Sequence, residues 1–146
     1  MPESFPLFRI SFLSPWWYLN KKGKLTEEEF SEIKKHTIWG WEILSNIVHS
    51  PTLRVGAHYH HEKYDGTGYP EGLAGDDIPE FARIIAVADA YDAMTSKRSY
   101  RNTMEQAQAR SEIETGMGTQ FDPKFAKIML EMIDEDSGYN MKEQPK

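Results

Sequence analysis

The chain has 146 residues, 39% hydrophobic and 27% charged, enough for one domain that buries roughly 68–70% of its unfolded surface. Seventeen Lys plus Arg against 23 Asp plus Glu leave a net charge of −6, which argues against a broad DNA or RNA surface but not against a small phosphate-bearing ligand. There is no cysteine, so disulfides and thiolate sites are excluded and any metal must be held by His, Asp or Glu.

The predicted elements begin with an apolar leader, residues 1–18, broken by Pro2, Pro6 and Pro15. With Arg9 its only basic residue, it lacks the positive start and small-residue cleavage site of a signal peptide. No apolar run reaches the roughly 18–20 residues that span a bilayer, and a cytoplasmic location is expected. Thr26 with Glu29 forms a capping box that opens a helix running to about His36. A second helix is expected over Ile38–Ile47, with Gly40 between Trp39 and Trp41 permitting close helix approach. Ser50-Pro51 starts a third helix that runs to His60 and His61. Residues 62–79, with four glycines and two prolines, form a structured loop. Pro79 starts the longest helix, with Phe81, Ile84, Ile85, Ala88 and Ala93 on its apolar side. Thr103 and Gln106 form another capping box, for a helix ending at Gly116. Asp122-Pro123 opens the last helix, with Phe125, Ile128, Met129 and Met132 as its buried stripe, and the tail from Glu135 frays. No window has a strand's period of two, so the fold class is all-α, a bundle of five or six helices with one long loop.

Chemistry concentrates in His60-His61-Glu62-Lys63-Tyr64-Asp65-Gly66-Thr67-Gly68-Tyr69-Pro70. Adjacent residues of a regular helix point about 100° apart, so His60 and His61 cannot share one ion from within it. At a helix end, or around two neighbouring ions, both can be ligands, helped by Glu62 and Asp65. Asp89 and Asp92 stand one turn apart on an otherwise apolar helix. Facing a core they would need a metal, or ion pairs to Arg83, Arg98 or Arg101. Lys97, Arg98 and Arg101 form a basic cluster that suits either a phosphate clamp or a solvated helix end. His36, His49 and His58 read as surface histidines on the residues alone.

The eleven-residue stretch resembles the motif of the HD-GYP phosphodiesterases, with Gly68-Tyr69-Pro70 as the namesake tripeptide. Lys22-Gly23-Lys24-Leu25-Thr26, Lys35-His36-Thr37, Ala86 to Ser96 and Gly118-Thr119-Gln120-Phe121-Asp122-Pro123 are similar to the family's other landmarks, in the right order. The resemblance implies an HD-superfamily fold around two or three metals, with iron or manganese the expected cofactor and zinc or nickel compatible. It implies metal-assisted in-line hydrolysis of cyclic di-GMP to the linear dinucleotide or GMP. Position by position, His36, His60, His61 and Asp89 match metal ligands, and Arg98 and Arg101 match substrate-phosphate contacts. Gly66, Gly68, Tyr69 and Pro70 shape the pocket. The chain itself or another signalling protein is an expected partner through the same loop.

One departure matters. The family's His-Asp doublet should lie shortly before Leu19-Asn20, where this chain has Arg9 to Trp17. The expectation is a leader over 1–18, an N-terminally truncated HD-GYP-like domain over 19–135 and a polar tail over 136–146. Its function is then an impaired phosphodiesterase, a degenerate cyclic-di-GMP-binding or interaction module, or a fragment without function.

Overall fold

The computed structural model describes residues 23–46, 51–96 and 103–141. Among them are five α-helices and one short 3₁₀ turn, with no strand beyond two isolated bridges. The all-α expectation holds.

Helix α1, Glu27–Ser45, opens as the sequence predicts. The Thr26 hydroxyl accepts the Glu29 amide at 3.2 Å, and the Glu29 carboxylate accepts the Thr26 amide at 2.8 Å. The two helices predicted over this stretch are one. No proline interrupts it, and Thr37, the expected break, is fully buried with its hydroxyl donating to the Lys34 carbonyl. Among the described residues α1 is therefore the longest helix, rather than the one after Pro79. Helix α2, Pro51–Tyr59, packs against it. A Cβ at Gly40 would stand 3.2 Å from the Ala57 Cβ, so Gly40 does mark a close crossing. Trp41 seals the pair: its ring lies 4.8 Å from the Arg54 guanidinium and 5.1 Å from the His58 ring.

Beyond α2 the loop carries the turn Gly75–Asp77 and leads to α3, Glu80–Thr95. The buried residues of α3 are Ala82, Val87, Tyr91 and Thr95. Of the predicted apolar side, Phe81 and Ile85 are half-buried against Gly56 of α2 and Ala93 is half-buried, whereas Ile84 and Ala88 are exposed. Arg83 ties the surroundings together, donating at 2.6 Å both to Asp76 in the turn and to Asp122 at the start of the last helix.

Helices α4, Gln106–Thr115, and α5, Pro123–Glu135, complete the bundle. The capping box predicted for α4 does not form. Glu105 occupies the cap position, and the Gln106 side-chain Nε2 instead donates to the Asp136 carbonyl at 2.7 Å. Asp122 does cap α5, accepting the Lys124 amide at 2.8 Å. The buried stripe of α5 is Ala126, Leu130 and Ile133; Ile128 and Met132 lie outside, while Phe125 and Met129 flank the core. The core sits between α3, α4 and α5, in two clusters around Val87, Ile113, Phe121 and Leu130 and around Tyr91, Met104, Ala109 and Ile133. Met94 and Met129 join them. The segment after α5 does not fray over the described residues: the Tyr139 hydroxyl donates to the Met104 carbonyl at 2.6 Å, and Asp136 accepts the Asn140 and Met141 amides.

Candidate metal centre

Helix α2 ends at Tyr59, so His60 and His61 lie in the turn that follows it. Freed from the 100° helical step, the two rings stand 4.1 Å apart and tilted by 41°. His36, from the middle of α1, closes the group with its ring 5.5 Å from His60 and 4.9 Å from His61. One ring nitrogen from each of the three lies within 4.8 Å of the others. Two nitrogens sharing one ion are at most about 4.2 Å apart, twice a typical bond of about 2.1 Å. A small closure of the rings would therefore seat an ion.

Backbone bonds orient two of the rings. His36 Nδ1 faces the Ile33 carbonyl at 2.6 Å, and His60 Nδ1 faces the Gly56 carbonyl at 3.0 Å. A carbonyl only accepts, so each Nδ1 carries a proton, and Nε2 is the nitrogen left to face a metal. Ligating histidines are held by this same kind of outer bond. Burial, with the neighbouring His60 and His36, pushes the His61 pKa down to about 3, and burial also lowers that of His60. Both are neutral near pH 7, the state that binds a metal. The donor set fits a divalent transition metal.

Asp89 is not in this cluster. Together with Asp92 it is exposed, so the expected pair of carboxylates facing a core does not exist. Asp89 is two residues from both Val87 and Tyr91, about 200° around the helix from each, which turns it away from the buried face. Its charge still reaches the site, acting on His60 and on Tyr69. Arg83, proposed as an ion-pair partner for these aspartates, is engaged with Asp76 and Asp122. Asp92 accepts from the Ser96 hydroxyl at 3.0 Å. Arg98 and Arg101 lie outside the described residues, as does His49.

The loop forms a wall beside the histidines. The Tyr69 ring stacks on His61 at 4.9 Å, and its amide donates to the His61 carbonyl at 3.2 Å. Burial, reinforced by Asp89, pushes the Tyr69 hydroxyl up to about 12. Gly66 has a positive φ of 80°, which favours glycine. Gly68 is needed for space: a Cβ there would stand 2.6 Å from both the Glu62 Cα and the His61 carbonyl oxygen. Pro70 follows Tyr69 through a cis bond.

Sequence reasoning gave Glu62 a supporting part near the metal, and its actual role is different. Its carboxylate is 3% exposed and accepts three backbone amides, from Glu71 at 2.7 Å, Gly72 at 3.1 Å and Leu73 at 3.1 Å. It holds the far side of the loop against the end of α2. Asp65 likewise turns to its own loop, accepting the Thr67 amide and hydroxyl at 2.9 and 2.7 Å. His58 is structural: its Nδ1 faces the Thr37 carbonyl at 3.2 Å and its Nε2 lies 3.4 Å from Glu71. No spacing signal separates a loop-holding Glu62 from a ligand. An open concavity of about 260 Å³, between Lys63 and Asp65 on one side and Glu112 and Thr119 on the other, does not include the histidines.

A family model described as an HD domain matches residues 12–125. The 3'3'-cGAMP-specific phosphodiesterase 2 of Vibrio cholerae is 43% identical over 120 residues, covering 80% of this chain and 23% of the relative. The cyclic di-GMP phosphodiesterase of Thermotoga maritima is 43% identical over 120 residues, covering 80% of this chain and 32% of the relative. The chain thus spans a third or less of each of these curated proteins. A crystal structure of a cyclic GMP-AMP specific phosphodiesterase from V. cholerae superposes with a TM-score of 0.60 at 21% identity, covering 88% of this chain and 33% of that one. That likeness concerns the fold.

Proposed function

The chain belongs to the HD domain family, and from that premise we propose that it is the metal-binding part of a phosphodiesterase acting on a cyclic dinucleotide, cyclic di-GMP first among them. The observation that carries the proposal is the cluster of His36, His60 and His61, two of whose Nδ1 atoms are already committed to carbonyls. A divalent ion, iron or manganese by family resemblance, would be held there by three neutral imidazoles. When bound, it supplies Lewis acidity and lowers the pKa of water toward roughly 7–9. The chain's own residues would orient the substrate. Tyr69, stacked on His61, gives a flat apolar wall, and Gly66 and Gly68 let the loop fold tightly behind it. Arg98 and Arg101 would contact phosphate by family resemblance, and Asp89 would add negative charge on the open side of the cluster.

These 146 residues contain no His-Asp doublet. Three neutral ligands hold an ion less firmly than a set with a bridging carboxylate, so turnover by this chain alone would be small. The same absence favours a second reading, a module that binds a cyclic dinucleotide or a partner protein without hydrolysing it. Incubation of the chain with cyclic di-GMP or 3'3'-cGAMP and Mn²⁺ or Fe²⁺, with chromatographic separation of products, tests the two. Linear dinucleotide that disappears in His60→Ala supports the enzyme. Binding without product supports the module. Neither binding nor product defeats both.

A further inference from the structure

One cation beside the histidines has no assigned part. Lys34, on α1 two residues before His36, is half-buried, with its Nζ 4.6 Å from the centre of the Phe30 ring and 5.3 Å from that of Tyr69. These rings meet edge-to-face at 6.0 Å, and Tyr69 stacks on His61. The ammonium and the metal-binding ring are therefore neighbours of one tyrosine. No described carboxylate lies within ion-pairing distance of Lys34; Asp89 acts on Tyr69 from farther off. Aromatic faces hold an ammonium weakly and leave its three donors unspent. A phosphoryl oxygen offers a much stronger, charge-assisted partner.

We propose that Lys34 is a phosphate-binding residue of this site, its ammonium donating to a non-bridging oxygen of a cyclic dinucleotide whose phosphodiester faces the three histidines. The inference rests on the phosphodiesterase reading of the site and adds to it a contact from α1. Phe30 and Tyr69 preset the position of the lysine. Binding then costs less side-chain entropy than it would for a free lysine. The ordinary alternative is that the stem of Lys34 merely covers Phe30 while its head stays in water.

The test separates charge from packing with Lys34→Met and Lys34→Arg in the full chain, in the presence of Mn²⁺. Calorimetric titration is run with cyclic di-GMP and, separately, with orthophosphate. Lys34→Met keeps the apolar stem on the rings, so its thermal midpoint should match the wild type. Its dissociation constant for either probe should rise about tenfold, the effect of one charged contact. Lys34→Arg should bind within about threefold of the wild type. Wild-type affinity in Lys34→Met, or an equal loss in both variants, overturns the proposal. A wild type that binds orthophosphate through Lys34 but neither binds nor cleaves cyclic di-GMP leaves the phosphate contact standing and overturns the substrate. A wild type that binds neither probe overturns both.

Discussion

At the residue scale, Glu62 carries the largest single role outside the histidines. Its buried carboxylate is the acceptor for three loop amides, and removing it strands donors that each cost about 1–3 kcal/mol when unsatisfied. Glu62→Ala should lower unfolding free energy by about 3 kcal/mol or more in a urea titration, and Glu62→Gln, which keeps one acceptor oxygen, by roughly half of that. A loss below about 1 kcal/mol in Glu62→Ala would show that the loop is held by something else. The histidines set the pH response of the metal-free chain. The folded His61 titrates near 3, against about 6.5 for an exposed imidazole. Between those values the unfolded chain binds more protons, so stability is complete above about pH 6.5 and falls as the pH drops toward 3. His60 shifts in the same direction. Asp65, Asp134 and Asp136 are also lowered, but their loss comes at lower pH because carboxylates titrate there even when exposed. The thermal midpoint, measured with a chelator present, should therefore already fall between pH 7 and 5, and fall less in His61→Asn. A flat profile over that range contradicts the assignment.

At the element scale, the loop from Glu62 to Pro79 is the part on which the site depends. It is pinned at both ends: Glu62 grips residues 71–73, and the Tyr64 and Asp65 amides donate to Gln120 and Thr119 in the turn before α5. Arg83 adds the link from Asp76 to Asp122. Gly68 is where this packing leaves no room. Gly68→Ala must move backbone rather than a side chain, since the added Cβ meets the Glu62 Cα and the His61 carbonyl. It should cost at least about 2 kcal/mol of stability. It should also weaken metal binding measured by titration with Co²⁺, because His61 moves with the loop. Unchanged Co²⁺ affinity would separate the loop from the metal centre. Helix α1 contributes differently, since one uninterrupted helix brings Thr37 to the α2 crossing, His36 to the residues that follow α2, and Lys34 to Tyr69 in the loop.

At the scale of the whole molecule, the well-buried core lies among α3, α4 and α5, and the α1–α2 pair is attached at its side. Phe30, Ile38 and Ile43 on α1 and Leu53 on α2 are between 41% and 48% exposed. Large apolar side chains left exposed on both helices of this pair favour association. Light scattering should give a mass above the 16.9 kDa of one chain, rising with concentration; a monodisperse monomer contradicts this. With one cluster of three histidines among the described residues, elemental analysis should find no more than one tightly held transition-metal ion per chain. Two or more would mean that Asp89 and residues outside the described set complete a second site.

The sequence by itself determined the helical class, the capping box at Thr26, the caps at Gly116 and Asp122, and the family, because these depend on residue identity at short separations. It also singled out the three histidines, through resemblance rather than through spacing. Tertiary structure decided which faces are buried. Ile84, Ile128 and Met132 satisfy helical periodicity as well as Val87, Leu130 and Ile133 do, and only the neighbouring helices choose between them. It decided that Asp89 is exposed and that Glu62 binds backbone amides instead of sharing the cluster. It also decided that Lys34 stands at the edge of the site, over Tyr69. A carboxylate or an ammonium carries the same charge wherever it stands in the chain. Its role follows from the groups that folding brings within about 3–5 Å of it, where both hydrogen bonds and direct charge interactions act.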